Sequence, residues 1–497
     1  MSQPPPPVVS TFGTRVRMAV FWRSGTQIVS QIVAWGVTIF VMRMLDPRDY
    51  GLFTMTQVVT TVLNFLNGYG FANALIRTES FDTRRIRQTF GMLILLNGSL
   101  AVVQLLAAPL AAAYFHKSAI DQSTLTAMLR WQALIYLPVP FIAVPSAILA
   151  RGLDFKKQAI TNLLSALSGA VTAFVCVSLG YGVWTLVAAP IVTLSTRALG
   201  LTIAARLLVW PSFNLKGAGD IVRYGTAMLA AQFFWIIQSQ ADVTIGGRVL
   251  EPHALGLYGE ALFITQIFTG KFLPPLNEVA FPSYAELAKS GASVGPAFIT
   301  AAKLVMALTL PLYFGLSVTA GPLVATVLGH KWLEMIPLVS LLALAMPFWT
   351  LQLMFQPATN ALGLPKIYVY SHAIGAAILV TCFLIGIHWG VSGLAIGWLV
   401  ATPLLLIVTA RMSLPAMRTS AGALVIALWP SLLAATAMAA SVHYASKLMT
   451  GWADHNQLIT LVALGATVYI GLLYVFARQA LGELVMLVTK RRLPGGI

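Results

Sequence analysis

Four stretches of this sequence place charged and amide side chains at helical spacing inside otherwise apolar surroundings. Arg23, Gln27, Ser30 and Ala34 recur at i+4, i+3 and i+4 with Gln31 beside them, and Thr54, Gln57, Thr61, Asn64 and Gly68 repeat the pattern one segment later. Further along, Gln232, Trp235, Ser239, Asp242 and Gly246 share one helical face, while Glu260, Lys271 and Glu278 fall within one broad face of the next segment. A charge held in hydrocarbon at mid-helix costs about 2.5 to 3.5 kcal/mol, so these faces are expected to turn toward water or toward one another. Four polar stripes facing one another would line a hydrated cavity. A plainer role stands beside this one. Arg23 lies close enough to a segment end to snorkel, Asp242 and Glu260 read equally well as paired packing devices in the outer third, and interhelical amide bonds contribute only about 0.6 kcal/mol each. His372 and His388, alone in their segments, read as satisfied core residues. Lys271 is harder to place that way. It sits about 17 residues into its segment, roughly 25 Å down at 1.5 Å per residue, and still short of the far boundary.

The elements that carry these side chains follow from composition. Of 497 residues, 58% are hydrophobic and only 9% charged, against roughly 25% charged in a soluble chain. That excludes an ordinary soluble enzyme and leaves an all-α polytopic membrane protein. Apolar runs bounded by charge, Gly and Pro give six segments near 22–45, 50–76, 89–115, 125–150, 159–179 and 182–208, a second six near 221–250, 254–281, 297–319, 332–362, 367–387 and 391–412, and two more near 421–446 and 458–476. The expectation is fourteen transmembrane helices. Pro138, Pro140 and Pro145 in the fourth segment and Pro274 and Pro275 in the eighth predict kinks, with neighbouring helices satisfying the freed carbonyls. Cys176 and Cys382, the only two cysteines, lie in apolar runs and read as core packing, with no disulfide or metal pattern. The opening residues 1–10 hold four consecutive prolines and read as a disordered tail, and the first apolar stretch is too long for the core of a signal peptide.

Lysine and arginine set the orientation. With segments counted alternately from the N-terminus, 22 of the 31 cationic residues fall on one side and six on the other, which puts both termini in the cytoplasm and supports an even span count. The same distribution accounts for the net charge of +16, because the charge is spread over loop ends and not gathered on one face as in a nucleic-acid-binding protein. The segment ends R-M-L-D-P-R-D-Y-G-L-F (Arg43 to Phe53) and R-V-L-E-P-H-A-L-G-L-Y (Arg248 to Tyr258) match at an offset of 205. A second echo joins Arg151 to Leu153 and Gly182 with Leu362 to Leu364 and Gly393 at an offset of 211. Together they argue for duplicated six-span halves of the same orientation, a parallel repeat of the kind found in secondary transporters. The expected division is a tail at 1–14, an N-lobe at 15–210 with helices one to six, a C-lobe at 211–412 with helices seven to twelve, helices thirteen and fourteen at 413–480, and a cytoplasmic tail at 481–497.

The run D-P-R-D-Y-G-L-F followed by G-Y-G-F-A-N-A-L-I (Gly68 to Ile76), R-Y-G (Arg223 to Gly225) leading to A-D-V-T-I-G-G (Ala241 to Gly247), E-P-H-A-L-G-L-Y, and K-W-L-E-M-I-P-L (Lys331 to Leu338) followed by N-A-L-G-L-P (Asn360 to Pro365) resemble the polysaccharide transporter (Wzx-type flippase) branch of the multidrug/oligosaccharidyl-lipid/polysaccharide flippase superfamily. The likeness extends over spans one to twelve. It implies two six-helix lobes, alternating access, and a cavity lined by helices one, two, seven and eight. It implies a substrate as well: a polyprenyl-diphosphate-linked oligosaccharide moved from the cytoplasmic to the outer leaflet for exopolysaccharide, capsule or O-antigen assembly. Such a substrate asks for cations at its phosphates and for amides and hydroxyls at its sugars. By resemblance, Arg23 and Lys271 hold the diphosphate; the polar stripes themselves offer Gln27, Gln31, Gln57, Asn64 and Gln232 as cavity-lining residues, and Asp242, Glu260 and Arg43 are the candidates for coupling or gating. Expected partners are the lipid-linked sugar, the bilayer of a bacterial cytoplasmic membrane, and a polymerase and co-polymerase of the same pathway, with no nucleic acid. No catalytic residue, metal or cofactor is expected, and a coupling ion would be H+ or Na+.

Two alternatives remain at this stage. A cation-coupled multidrug exporter of the same superfamily would use Asp242 and Glu260 to carry the ion, but the first half of the chain offers Arg23 and no intramembrane acid to match. A membrane polymerase or glycosyltransferase would need a substantial extramembrane loop, and the loops here are short. Neither an Asp-x-Asp metal site nor a G-x-x-x-x-G-K-[ST] nucleotide loop occurs.

Overall fold

In the computed structural model, residues 31–68, 83–115, 122–152, 154–206, 209–214, 219–476 and 482 are described, with 219–232 given as backbone only. The described chain is helical. The first helices are α1 (Gln31–Met44), α2 (Pro47–Phe65), α3 (Thr83–Tyr114), α4 (Gln122–Gln132), α5 (Val139–Arg151), α6 (Phe155–Ser178) and α7 (Trp184–Ala204). The series continues with α8 (Gly219–Val249), α9 (Pro252–Lys289), α10 (Gly295–Val327), α11 (Ile336–Leu353), α12 (Phe355–Ala361), α13 (Pro365–Gly386), α14 (Gly390–Ser413), α15 (Ala421–Leu448) and α16 (Asp454–Phe476). Each expected apolar segment holds a helix, and nine stretches of the described residues are long and apolar enough to cross a membrane. The chain is thus an all-α, multi-pass membrane protein, while the count of fourteen rests on the sequence. The expected tail at 1–14, together with Arg23 and Gln27, lies outside the described residues.

The chain divides into two compact units, Met1–Phe233 with Glu251–His253, and Phe234–Leu250 with Ala254–Ile497. Within the first, α6 packs most extensively on α7, α3 on α4, and α5 on α7. Within the second, α13 packs most extensively on α14, α10 on α15 and then on α11, and α11 on α14, with α16 also laid against α10. The pairings α6–α7 and α3–α4 of the first unit recur as α13–α14 and α10–α11 of the second. At the first sequence echo the local geometry also repeats: α1 ends three residues before Pro47, and α8 ends three residues before Pro252. In each, the buried leucine of the linker donates its N–H four residues back, Leu45 to the Val41 carbonyl at 2.9 Å and Leu250 to that of Gly246 at 2.8 Å. Proline suits both positions because the first helical residue has no N–H acceptor in its own helix. The second echo does not repeat. Gly363 takes φ +71° where Gly152 takes φ −76°, and Gly182 (φ +53°) lies in a turn where Gly393 lies inside α14. Gly393 instead meets Gly386 backbone to backbone, a close crossing of α13 and α14 that a Cβ on either residue would block.

Prolines act as expected in the fourth segment, which breaks into α4, a 3-10 turn at Ala133–Tyr136, and α5 starting past Pro138. In the eighth they do not break the helix: α9 runs unbroken through Pro274, Pro275 and Pro282. A proline leaves the carbonyl four residues before it without its helical donor, and three such carbonyls are satisfied from a neighbouring helix. The Phe141 carbonyl, freed by Pro145, accepts from Thr202 Oγ1 at 3.3 Å. That of Ala307, freed by Pro311, accepts from the Tyr469 hydroxyl at 2.7 Å. The Leu353 carbonyl, freed by Pro357, accepts from Asn277 Nδ2 at 3.4 Å. In a bilayer no water would do this, so the side chains make the breaks tolerable.

Candidate functional site

The second unit holds a buried polar cluster on α8. Helical spacing puts Gln238 and Asp242 on one face, both with no exposure to solvent. Asp242 Oδ2 accepts from the Tyr258 hydroxyl of α9 at 2.6 Å and from Trp398 Nε1 of α14 at 3.0 Å, and its Oδ1 accepts from the Val243 N–H at 2.7 Å. Trp398 Nε1 also donates to the Tyr258 oxygen at 2.8 Å, closing a triangle across three helices. The indole is held edge-on by Trp349, ring centroids 5.3 Å apart, and tilted against Phe383 at 5.7 Å. One turn earlier on α8, Gln238 Nε2 donates to the His372 carbonyl at 2.6 Å, and Gln238 Oε1 lies 3.0 Å from His372 Nδ1. The histidine is a satisfied core residue, as its isolation in the sequence indicated. A third cluster ties α9 to α10 and α11, with Thr269 Oγ1 2.7 Å from the Tyr313 hydroxyl and 3.1 Å from Thr350 Oγ1.

The first unit has a corresponding network that the stripes did not single out. Gln132 of α4 donates from Nε2 to Thr56 Oγ1 at 2.7 Å and accepts at Oε1 from Thr60 Oγ1 at 2.9 Å, joining α4 to α2. Gln104 of α3 accepts from the Tyr136 hydroxyl at 2.7 Å and donates to the Leu129 carbonyl at 2.8 Å. That carbonyl lies where α4 gives way to the 3-10 turn. Asn97 donates to the carbonyls of Asn67 and Leu93, each at 2.9 Å. Thr56 and Thr60 lie on the buried face of α2, with buried Asn67 just past its end, so the stripe of Thr54, Gln57, Thr61 and Asn64 lies beside that face and is only half-buried. Gln104 and Gln132 stand out in the sequence as amides inside apolar segments, a signal that was available.

The expected site residues fall into three groups. Arg23 and Gln27 are outside the described residues, as is the side chain of Gln232. Gln31, Gln57 and Asn64 are half-buried, and Arg43 is exposed at the end of α1. In the second unit Asp242 and Glu260 are buried, whereas Lys271 and Glu278 are exposed. Burial therefore falls along one face of α9, from Glu260 to Glu278. No hydrogen bond or ion pair joins Asp242, Glu260 and Lys271 to one another, and Lys271 has no such partner among the described residues. At 1.5 Å per residue the lysine stands about 28 Å along α9 from Pro252. An exposed ammonium at that depth needs water or an anion, and three N–H donors suit phosphate oxygens.

Nine apolar stretches among the described residues, two packed helical units and polar groups gathered inside them define a multi-pass, all-α membrane protein. The chain belongs to the polysaccharide biosynthesis protein family, whose profile matches residues 40–337. It is 24% identical over 346 residues to the succinoglycan biosynthesis transport protein ExoT of Rhizobium meliloti (strain 1021), covering 68% of each chain. It is 22% identical over 306 residues to the lipopolysaccharide biosynthesis protein WzxC of Escherichia coli (strain K12), covering 60% of each. Among solved structures, the lipid II flippase MurJ in its inward closed conformation aligns with a TM-score of 0.76 at 13% identity, over 92% of this chain and 99% of that one. An inward-facing multidrug resistance MATE family transporter of the MOP superfamily aligns at 0.60 and 16% identity, over 78% and 96%. These structural likenesses are of fold. The resemblance to polysaccharide-assembly proteins drawn from the motifs is met by the family match.

Proposed function

We propose that this chain is a flippase that moves a polyprenyl-diphosphate-linked oligosaccharide from the cytoplasmic to the outer leaflet for surface polysaccharide assembly. The observation that carries this reading is the family match over residues 40–337, with relatives named for transport and for polysaccharide biosynthesis. Lys271 supports it as an exposed cation deep in an apolar helix. It would hold the diphosphate together with Arg23, while Gln27, Gln31, Gln57, Asn64 and Gln232 would meet the sugar hydroxyls and the prenyl tail would stay in lipid. Alternating access between an N-lobe at 15–210 and a C-lobe at 211–412 would carry the headgroup across. The cationic bias of alternate loops supports a bacterial cytoplasmic membrane with both termini inside. Polymerase and co-polymerase are the expected neighbours in the pathway. The role is transport without bond chemistry, and it requires no cofactor. Outward movement of each negative charge across an inside-negative membrane is favourable by about 2.3 kcal/mol per 100 mV, which would drive export without ATP.

The test is charge-specific. Lys271→Met keeps volume and stem, whereas Lys271→Arg keeps charge. Met is expected to abolish polymer export at normal membrane abundance, and Arg to retain part of it. Wild-type export by Lys271→Met would refute the phosphate role.

A further inference from the structure

A small cavity in the second unit lies where the tenth apolar segment breaks, between α11, α12, α13 and the end of α14. It is lined by Gln352, Gln356, Thr359, His372, Thr409 and Ser413, with Leu353 and Phe355 of the break itself. Most hydroxyl and ring atoms around it are engaged. Thr359 Oγ1 donates to the Phe355 and Gln356 carbonyls at 3.1 Å, Ser371 Oγ donates to the Tyr368 carbonyl at 3.0 Å, and His372 Nδ1 is held by Gln238 at 3.0 Å. Three atoms are not engaged: Gln352 Oε1, Thr409 Oγ1 and Ser413 Oγ are buried without a hydrogen-bond partner among the described residues. Their residues are 3%, 3% and 0% exposed. Each orphaned buried polar atom costs about 1 to 3 kcal/mol, and three on one small cavity point to a ligand.

We propose that this cavity binds one ordered water, which accepts from the Thr409 and Ser413 hydroxyls and donates to Gln352 Oε1, bridging α11 to α14 across the helix break. The space open to the centre of a water-sized sphere is about 10 Å³, the room one water takes. The donor set chooses water over a cation. Thr409 and Ser413 carry hydroxyl protons with no acceptor on any neighbouring residue, and water supplies one whereas a metal ion does not. Gln352 Oε1 only accepts, and water can donate to it while accepting from a hydroxyl. No carboxylate lines the cavity to offset a bare positive charge. Inserted water is one of the few ways a helix ladder stays satisfied at a break inside a membrane.

The full chain in nanodiscs, imaged by cryo-electron microscopy at a resolution that shows ordered water, is expected to show one peak within hydrogen-bonding distance of all three oxygens. Ordered water elsewhere between the helices and none here would overturn the site. Thr409→Val and Ser413→Ala are each expected to lower the Tm, and the double variant to lower it by less than the sum, because both remove bonds to the same water. Full additivity would count against a shared ligand. Replacing choline with Na+ at fixed ionic strength is expected to leave the Tm unchanged. Stabilisation by Na+ in wild type that is lost in Gln352→Met would assign a cation and overturn the proposal. Should Ser413→Ala fail to fold, the wild-type density alone decides.

Discussion

The triangle of Asp242, Tyr258 and Trp398 gives a quantitative test of whether the buried acid is structural. Tyr258→Phe removes one hydroxyl that donates to Asp242 Oδ2 at 2.6 Å and accepts from Trp398 Nε1 at 2.8 Å. Neither partner is orphaned, since the indole still reaches the carboxylate at 3.0 Å and the Val243 N–H still reaches Oδ1 at 2.7 Å. The cost is therefore one hydrogen bond to a carboxyl group with almost no lost packing, about 1.5 to 3 kcal/mol. Asp242→Asn is different in kind. Its amide has one acceptor oxygen where the carboxylate has two, so its NH2 must face either the Trp398 and Tyr258 side or the Val243 N–H, and two donors cannot pair. It should destabilise to a similar degree while reducing export only modestly. Reversible denaturant unfolding in mixed micelles, paired with translocation in vesicles with and without an imposed pH or sodium gradient, measures both. A Tyr258→Phe protein within about 0.5 kcal/mol of wild type would refute the hydrogen-bond argument. An Asp242→Asn protein of wild-type stability that had lost all transport and all gradient dependence would show the acid to be a coupling residue and revive the ion-driven exporter.

Cysteine placed at Asp49 should react with an impermeant maleimide in intact cells and cysteine at Arg85 should not; labelling at Arg85 from outside would reverse the orientation and the direction of transport. Tyr469→Phe leaves the Ala307 carbonyl, freed by Pro311, without a donor and should cost about 1 to 3 kcal/mol. Adding Pro311→Ala restores the helical N–H and should recover much of that loss, so an uncorrected double variant would show that the tyrosine acts otherwise. Asp154 caps α6, accepting from the Lys157 N–H at 3.3 Å and pairing with Lys157 Nζ at 2.8 Å. The Lys157 side chain holds its carboxyl below the usual carboxylate range despite partial desolvation. Its contribution is present above that range and lost as pH falls through the lowered value, so Asp154→Ala should cost about 0.5 to 1 kcal/mol at neutral pH and nothing in strong acid. A deficit that persisted unchanged in acid would show that the carboxylate charge is not its source.

Which parts were legible in the sequence depended on how local the signal was. Segment positions were clear because hydrocarbon imposes a length and a composition on each helix. The corner at Asp46-Pro47 and Glu251-Pro252 was clear because proline at a first helical position states its own geometry. The second echo, built on glycines, was not clear. Glycine takes either sign of φ, so Gly152 and Gly363 share a letter and not a conformation. The proline doublet in α9 was also ambiguous, because whether a helix breaks depends on donors from elsewhere in the fold. Pairings between distant segments were hidden altogether. Nothing near Asp242 in the sequence announces Trp398, which lies 156 residues further on.

Partner satisfaction sorts the polar residues in a way that helical spacing cannot. Asp242, Gln238, His372, Gln132, Gln104 and Thr60 are all buried and all bonded within their own unit. Their hydrogen bonds are already made, so a substrate would have to break them in order to use them, and they hold helices together. A group meant for a transported headgroup must instead stay hydrated and free to exchange water for phosphate or hydroxyl. Lys271 meets that condition: it is exposed, on a helix that runs unbroken through three prolines beyond it, and clear of the Asp242 triangle that anchors the same helix through Tyr258. The α9 helix would therefore do two jobs at different depths, fixed to its unit at Tyr258 and open to substrate at Lys271. Losses at Tyr258 should then appear first as instability, and losses at Lys271 first as failed export from a protein that is still folded.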